Sequence, residues 1–200
     1  MAFELRFLEW FGINLGVEQL DTTIVFEDSF VSLLNEIFTV TEPPESKYIY
    51  FEECYIRNHH TVTDLEILEH IARIVGKDNI TVRLHPKTIV DRFSPNGYKV
   101  SPQDGSLWEL TCLLADLSNK VFLTVKSSAT FSALSISHFP PRVILLKDIV
   151  KGCFPNKNAE DFIRYLQAVS EATGGCCSKL FVPQSKEELD IILQEVQRGN

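Results

Sequence analysis

Ile80-Thr81-Val82-Arg83-Leu84-His85-Pro86-Lys87 is the stretch on which the fold turns. A short β-branched, apolar run fits a buried strand, and it breaks off at a histidine followed by a proline. Proline brings no backbone N–H to a sheet ladder and biases the residue before it toward an extended backbone, so the strand closes at His85. In open α/β sheets ligands bind outside the carboxyl ends of the strands. His85 and Pro86 are therefore candidate ligand contacts, set against the plainer alternative of a strand-ending turn on the surface.

Working outward, the chain from residue 47 to residue 200 alternates strand-like and helix-like segments with short connections. That pattern predicts an α/β, Rossmann-like domain, a mostly parallel sheet with helices on both faces. Residues 48–51 read as the first strand. Thr63-Asp64-Leu65-Glu66 has the form of a capping box, and Leu65, Leu68, Ile71, Ala72 and Val75 make an apolar stripe that stops at Gly76. After the strand at 80–84, Ser94-Pro95-Asn96-Gly97 marks a turn before a short strand at 98–100. Ser106 is placed to cap a helix running to Asn119, and 121–125 reads as a further strand. Ser127 and Ser128 stand where they can cap the next helix, 129–137. Beyond Pro140-Pro141 come a strand at 143–146, a helix at 161–172, a short strand at 180–182, and a last helix opened by the capping box Ser185 to Glu188.

Residues 1–46 differ in character. They are crowded with Phe3, Phe7, Trp10 and Phe11 and end in Thr41-Glu42-Pro43-Pro44-Glu45-Ser46, a linker or turn signal. A strand at 22–26 and a helix at 29–38 are too little for a domain, so the segment reads as the remnant of a larger N-terminal domain plus a linker.

Composition narrows the function classes. A chain of 200 residues with 44% hydrophobic and 23% charged residues is globular, and its net charge of −8 argues against nucleic acid as a partner. No apolar run has the length of a membrane span, and the N-terminus lacks signal-peptide features, which points to the cytoplasm. Cys54, Cys112, Cys153, Cys176 and Cys177 show no ligand spacing and read as reduced thiols. His59-His60 reads as a solvated loop, and no metal cluster is expected.

Three polar signals fall at equivalent places in successive β/α units: His85 after a strand, Glu109 in the first turn of a helix, and Ser127-Ser128 between a strand and a helix. In a doubly wound sheet those places share one edge. Serine hydroxyls and backbone N–H groups at a helix start suit a phosphate, a histidine beside them can donate to it, and a carboxylate is the usual partner of ribose hydroxyls. Together they describe a nucleotide.

The order His85-Pro86, then Leu107-Trp108-Glu109-Leu110, then Ser127-Ser128 resembles the donor-nucleotide half of bacterial GT-B sialyltransferases, of the lipooligosaccharide sialyltransferase and capsular polysialyltransferase type. The likeness runs from about residue 47 to residue 146. It implies an inverting glycosyltransferase that needs no metal or other cofactor and moves sialic acid from CMP-sialic acid to a glycan acceptor. By the resemblance His85 contacts the donor phosphate and assists its departure, Ser127 and Ser128 hold that phosphate, and Glu109 binds ribose. The family's general base lies in an acidic-acidic-Gly motif. Here Glu27-Asp28-Ser29 is nearest, which makes Asp28 the candidate, with Glu52-Glu53 as its rival and Asp104-Gly105 a poorer fit. The resemblance leaves room for peripheral association with the inner membrane and for a homodimer. Alternatives are a non-catalytic nucleotide-sugar-binding or assembly module, or a transferase using another CMP-activated acidic sugar.

Overall fold

A computed structural model describes residues 28–38, 42–53, 63–102, 107–151 and 179–199. In chain order these form helix α1 (Asp28–Ile37), strand β1 (Tyr48–Phe51), α2 (Asp64–Val75), β2 (Ile80–Arg83), β3 (Lys99–Val100), α3 (Trp108–Leu114), β4 (Val121–Thr124), α4 (Ser128–Ile136), β5 (Arg142–Leu145), β6 (Leu180–Phe181) and α5 (Lys186–Arg198). The six strands make one parallel sheet in the order β3-β2-β1-β4-β5-β6. The protein is thus an α/β domain with the Rossmann strand order.

Tyr48, Tyr50, Ile80, Val82, Val121, Leu123 and Ile144 point to one face of the sheet, where α2 and α5 cover them. Ile49, Phe51, Phe122, Val143 and Leu145 point to the other, under α3 and α4. Burial on both faces explains why β1 and β4 are apolar runs rather than alternating ones. Thr81 is buried in β2 because its hydroxyl donates to Ser46 Oγ at 2.8 Å. The predicted strands and helices agree with those observed to within a few residues, and residues 22–26 and 161–172 lie outside the described part.

Three local details differ from expectation. Thr63 does not cap α2 with its side chain; its Oγ1 accepts instead from the Lys151 backbone N–H at 2.9 Å, tying the start of α2 to the end of the β5 connection. Helix α3 stops at Leu114, because Ala115 is extended and Asp116 accepts from the Ser118 N–H in a tight turn. Leu117, expected on that helix, is buried just beyond it. Ser127 precedes α4 without a side-chain capping bond, and the buried Thr124 hydroxyl takes the Ser127 N–H at 2.8 Å. By contrast, the box at Ser185 forms as expected, with Ser185 Oγ accepting from Glu188 N–H. Gly76 ends α2 at φ +85°, a conformation that side chains disfavour.

No described helix is long and apolar enough to cross a membrane.

Helix α5 gives a direct check of this packing. Leu193 is fully buried against α2 and the sheet, whereas Ile191 is 57% exposed. We expect Leu193→Ala to cost about 2–5 kcal/mol of unfolding free energy in urea titrations. Ile191→Ala should stay within about 0.5 kcal/mol of the parent. Equal effects would mean that the other face of α5 packs on the sheet.

Candidate functional site

The strand order reverses between β1 and β4. From β1 the chain passes to α2 on one face, and from β4 to α4 on the opposite face, so the two connections part above the carboxyl ends of these strands. Such a switch point is where Rossmann-like sheets open a ligand crevice. Register puts the three relevant strand ends level: Phe51 pairs with Arg83 of β2 on one side and with Thr124 of β4 on the other. His85, Glu52-Glu53 and Lys126-Ser127-Ser128 therefore leave the sheet side by side, with the outer two exits about two strand spacings apart, roughly 10 Å.

On the β2 side, His85 opens a tight turn closed by the Thr88 N–H to His85 carbonyl bond of 2.8 Å, with Pro86 at the second position, where its fixed φ suits a turn. His85 Nδ1 accepts from the Lys87 N–H at 3.1 Å, which leaves the proton of a neutral ring on Nε2. The turn is clamped by Glu52, whose Oε2 accepts from the His85 N–H at 3.3 Å and from the Thr88 hydroxyl at 2.6 Å. Glu52 in turn shares a guanidinium. Arg92 Nη2 lies 3.3 Å from Glu52 Oε1 and 2.9 Å from Asp64 Oδ2, and Arg92 Nη1 is 3.0 Å from Asp64 Oδ1. Tyr50 OH completes the set, donating to Asp64 Oδ2 at 3.0 Å. Partial burial works against the Arg92 charge, but the bonds to Asp64 and Glu52 outweigh it and hold the guanidinium charged. Burial, and then the Asp64 charge, push the Tyr50 phenol well above its ordinary range, so it stays a donor.

Glu53 is a different case. It is 9% exposed, its Oε1 has no hydrogen-bond partner among the described residues, and its Oε2 lies 3.9 Å from Lys126 Nζ across the switch point. Burial raises its carboxyl from 4.5 to about 7, and the Asp64 charge adds to this, while Lys126 pulls the other way through its ammonium and its backbone N–H. A buried acid at the switch point, its carboxyl pushed up toward neutrality by burial, is a candidate functional group.

On the β4 side, Ser127 precedes α4 and Ser128 begins it. The first turn of α4 carries no acidic residue, whereas α2 has Asp64 and Glu66, α3 has Glu109 and α5 has Glu187 and Glu188 at their starts. Trp108 is core, as expected. Its ring packs on Phe51 and Phe122 with Arg83 over one face, and its indole N–H donates to the Ala129 carbonyl at 3.0 Å. That bond pins the start of α3 to the start of α4, which brings Glu109, exposed in the next position, to the same edge.

His85, Pro86, Glu109, Ser127 and Ser128 thus share the carboxyl edge of the sheet. Asp28 is the first residue of α1, which lies against α3, and its side chain is outside the described part. Asp104, Gly105, Cys54, Cys153, Cys176, Cys177, His59 and His60 are outside it as well. Cys112 is a free, buried thiol, pushed up by burial and by Glu109. Of the described rival acids, Glu52 is committed to holding the His85 turn, and Glu53 has an oxygen without a partner among the described residues. Arg92, Asp64, Tyr50 and Thr88 were not singled out in sequence, since nothing local marks Arg92 as a partner of residues 28 and 40 positions away.

No model of a known protein family matches the chain, and no curated protein or solved structure matches it.

Two outcomes follow from these contacts. Arg92→Met strands the buried Glu52 and Asp64 carboxylates and should cost about 3–5 kcal/mol in urea unfolding near neutral pH. For Glu53, the folded carboxyl ionises above its unfolded value of 4.5, so its contribution is fully present below that and is lost as pH rises through about 7. Relative to Glu53→Gln, the parent should lose about 3 kcal/mol between acidic and mildly alkaline pH. Parallel stability curves for the two proteins would show that Glu53 titrates normally.

Proposed function

We propose that this domain binds the nucleotide end of a CMP-activated acidic sugar, and that it is the donor half of an inverting, sialyltransferase-like glycosyltransferase acting on a glycan acceptor. The observation that carries the reading is the company around α4. Its N-terminus is the one described helix start at the switch point without a carboxylate of its own, and it is flanked by Lys126 before it and by the clamped His85 turn two strands away.

A phosphate lying over Ser127 and Ser128 meets two hydroxyls and the positive end of the helix dipole, the Ser127 N–H being held by the Thr124 hydroxyl. His85, its tautomer set by the Lys87 N–H, presents Nε2–H as a further donor. Glu109, held to the same edge through the Trp108 bond to Ala129, is placed to accept from ribose hydroxyls. In the transfer step the bond between the anomeric carbon and the phosphate oxygen breaks and its electron pair leaves with CMP, while the acceptor oxygen bonds the same carbon and passes its proton to a general base, for which the family resemblance names Asp28. Fixed donors on the leaving phosphate lower that barrier, because they meet charge as it develops and need no reorganisation.

CMP at millimolar concentration should raise the melting temperature of the chain by several degrees. His85→Ala, or Ser127→Ala with Ser128→Ala, should abolish the shift while leaving the ligand-free melting temperature close to that of the parent. An unchanged melting temperature in the parent would sink the reading. Release of CMP from CMP-sialic acid, with lactose as acceptor, distinguishes a transferase from a module that only binds.

A further inference from the structure

Ser94-Pro95-Asn96-Gly97, the turn before β3, contains the one Asn-Gly pair of the chain. Such a pair carries a chemistry of its own, because glycine has no side chain to keep its amide nitrogen away from the asparagine carboxamide. Both residues are exposed, at the end of the single helical turn Ser94–Asn96 in the loop between β2 and β3. Gly97 has φ +79°, and a Cβ built there would meet nothing closer than Lys77 Cδ at 3.9 Å. The surroundings of the pair are open to solvent.

This loop is also the one that carries Arg92. Asn96 Nδ2 donates to the Arg92 carbonyl at 2.8 Å, the Asn96 N–H to the Phe93 carbonyl at 2.9 Å, and the Gly97 N–H to the Ser94 carbonyl at 2.9 Å. Lys77 reaches the same peptide unit from the end of α2, its Nζ donating to the Asn96 carbonyl oxygen at 3.0 Å and to Glu69 Oε1 at 2.7 Å. An ammonium on a peptide oxygen stabilises the anion formed when that peptide unit loses its N–H proton, since nitrogen and oxygen share the charge. The Asn96–Gly97 peptide is thus activated at its oxygen and restrained by the bonds on the Gly97 N–H and the Asn96 carboxamide. Reaction has to wait until those two bonds open, so its rate follows the local opening of the loop.

We propose that Asn96 is a modification site, converted spontaneously to aspartate and isoaspartate, and that the conversion loosens the loop that positions Arg92. The Gly97 nitrogen gives its proton to solvent and bonds Asn96 Cγ. The bond from Cγ to the carboxamide nitrogen breaks, that nitrogen takes up a proton and leaves as ammonia, and a five-membered imide remains. Water then opens the ring at one carbonyl to give aspartate or at the other to give isoaspartate; no oxidant or reductant takes part. Neither product keeps a donor for the Arg92 carbonyl, because a carboxylate only accepts. Isoaspartate also lengthens the main chain by a methylene, which the bonds from Asn96 to Phe93 and from Gly97 to Ser94 cannot both absorb. Arg92 holds Glu52 and Asp64, and Glu52 holds the His85 turn, so the loss reaches the carboxyl edge of the sheet.

The test is to hold the full chain in mildly alkaline buffer at body temperature, sample it over weeks, and map its peptides by mass. Isoaspartate is scored separately, by labelling with an isoaspartyl carboxyl methyltransferase. A gain of one mass unit is expected at Asn96 ahead of every other asparagine, with both products present. The converted chain should melt about 2–4 °C below the fresh one, and Asn96→Asp should melt there from the start. Amide hydrogen exchange at His85 and Thr88 should quicken in both. Asn96→Gln, whose imide ring would need one more atom, should show no drift of melting temperature with time. An Asn96 that stays intact in the folded chain while a free peptide of residues 91–99 converts fully overturns the proposal. So does full conversion with an unchanged melting temperature and unchanged exchange, since the Arg92 loop would then owe nothing to the Asn96 donor.

Discussion

One guanidinium shared by two buried carboxylates holds the carboxyl edge of this sheet. Arg92 reaches from the loop after β2 to Asp64 at the start of α2 and to Glu52 at the end of β1. Both acids are essentially without solvent contact, at 0% and 1% side-chain exposure. Such charges are tolerated inside a protein only when paired and hydrogen-bonded, and each here has at least three donors. The cost of assembling the set is offset by what it fixes: a strand end, a helix start and a loop that share no backbone ladder. Remove the guanidinium and the His85 turn loses its anchor, because Glu52 can hold His85 N–H and the Thr88 hydroxyl only while its own charge is compensated.

That arrangement separates two adjacent glutamates that look alike in sequence. Alternation along the extended chain sends Glu52 and Glu53 to opposite sides. Glu52 turns toward β2, where donors await it; Glu53 turns toward β4, where it meets the Lys126 backbone N–H and, at 3.9 Å, its ammonium, and keeps one oxygen without a partner among the described residues. The same burial therefore leaves one acid fully hydrogen-bonded and pushes the carboxyl of the other up to about 7.

What could be read from sequence follows the range of the forces involved. Strands covered on both faces announce themselves as short apolar runs between turns, so β1, β2, β4 and β5 were legible, as were Gly76 and the stripe of α5. Strand ends were legible too, which is why His85, Glu109, Ser127 and Ser128 emerged together. Capping boxes were legible only in part. Ser185 forms its box, whereas Thr63 gives its hydroxyl to the Lys151 N–H, a partner 88 residues away that no local pattern reveals. The Thr124 hydroxyl likewise supplants Ser127 in shaping the turn into α4. Arg92 and the separation of Glu52 from Glu53 depend on such distant contacts as well.

The distribution of charge around the switch point also argues where an anion can lie. In dinucleotide-binding sheets the phosphate rests on the turn after the first strand, whose glycines let the backbone approach. Here that turn begins with two glutamates, and the positive end of α2 is already met by Asp64 and Glu66. An anion on that side would face four carboxylates. Helix α4 has no acid in its first turn, follows Lys126, and starts with two serines whose hydroxyls the capping role does not occupy. With a net charge of −8 on the whole chain, long-range attraction does not favour a phosphate, so the proposed binding would depend on the local field at α4. The acidic end of β1 and the end of β4 meet at Glu53, whose carboxylate lies 3.9 Å from the Lys126 ammonium.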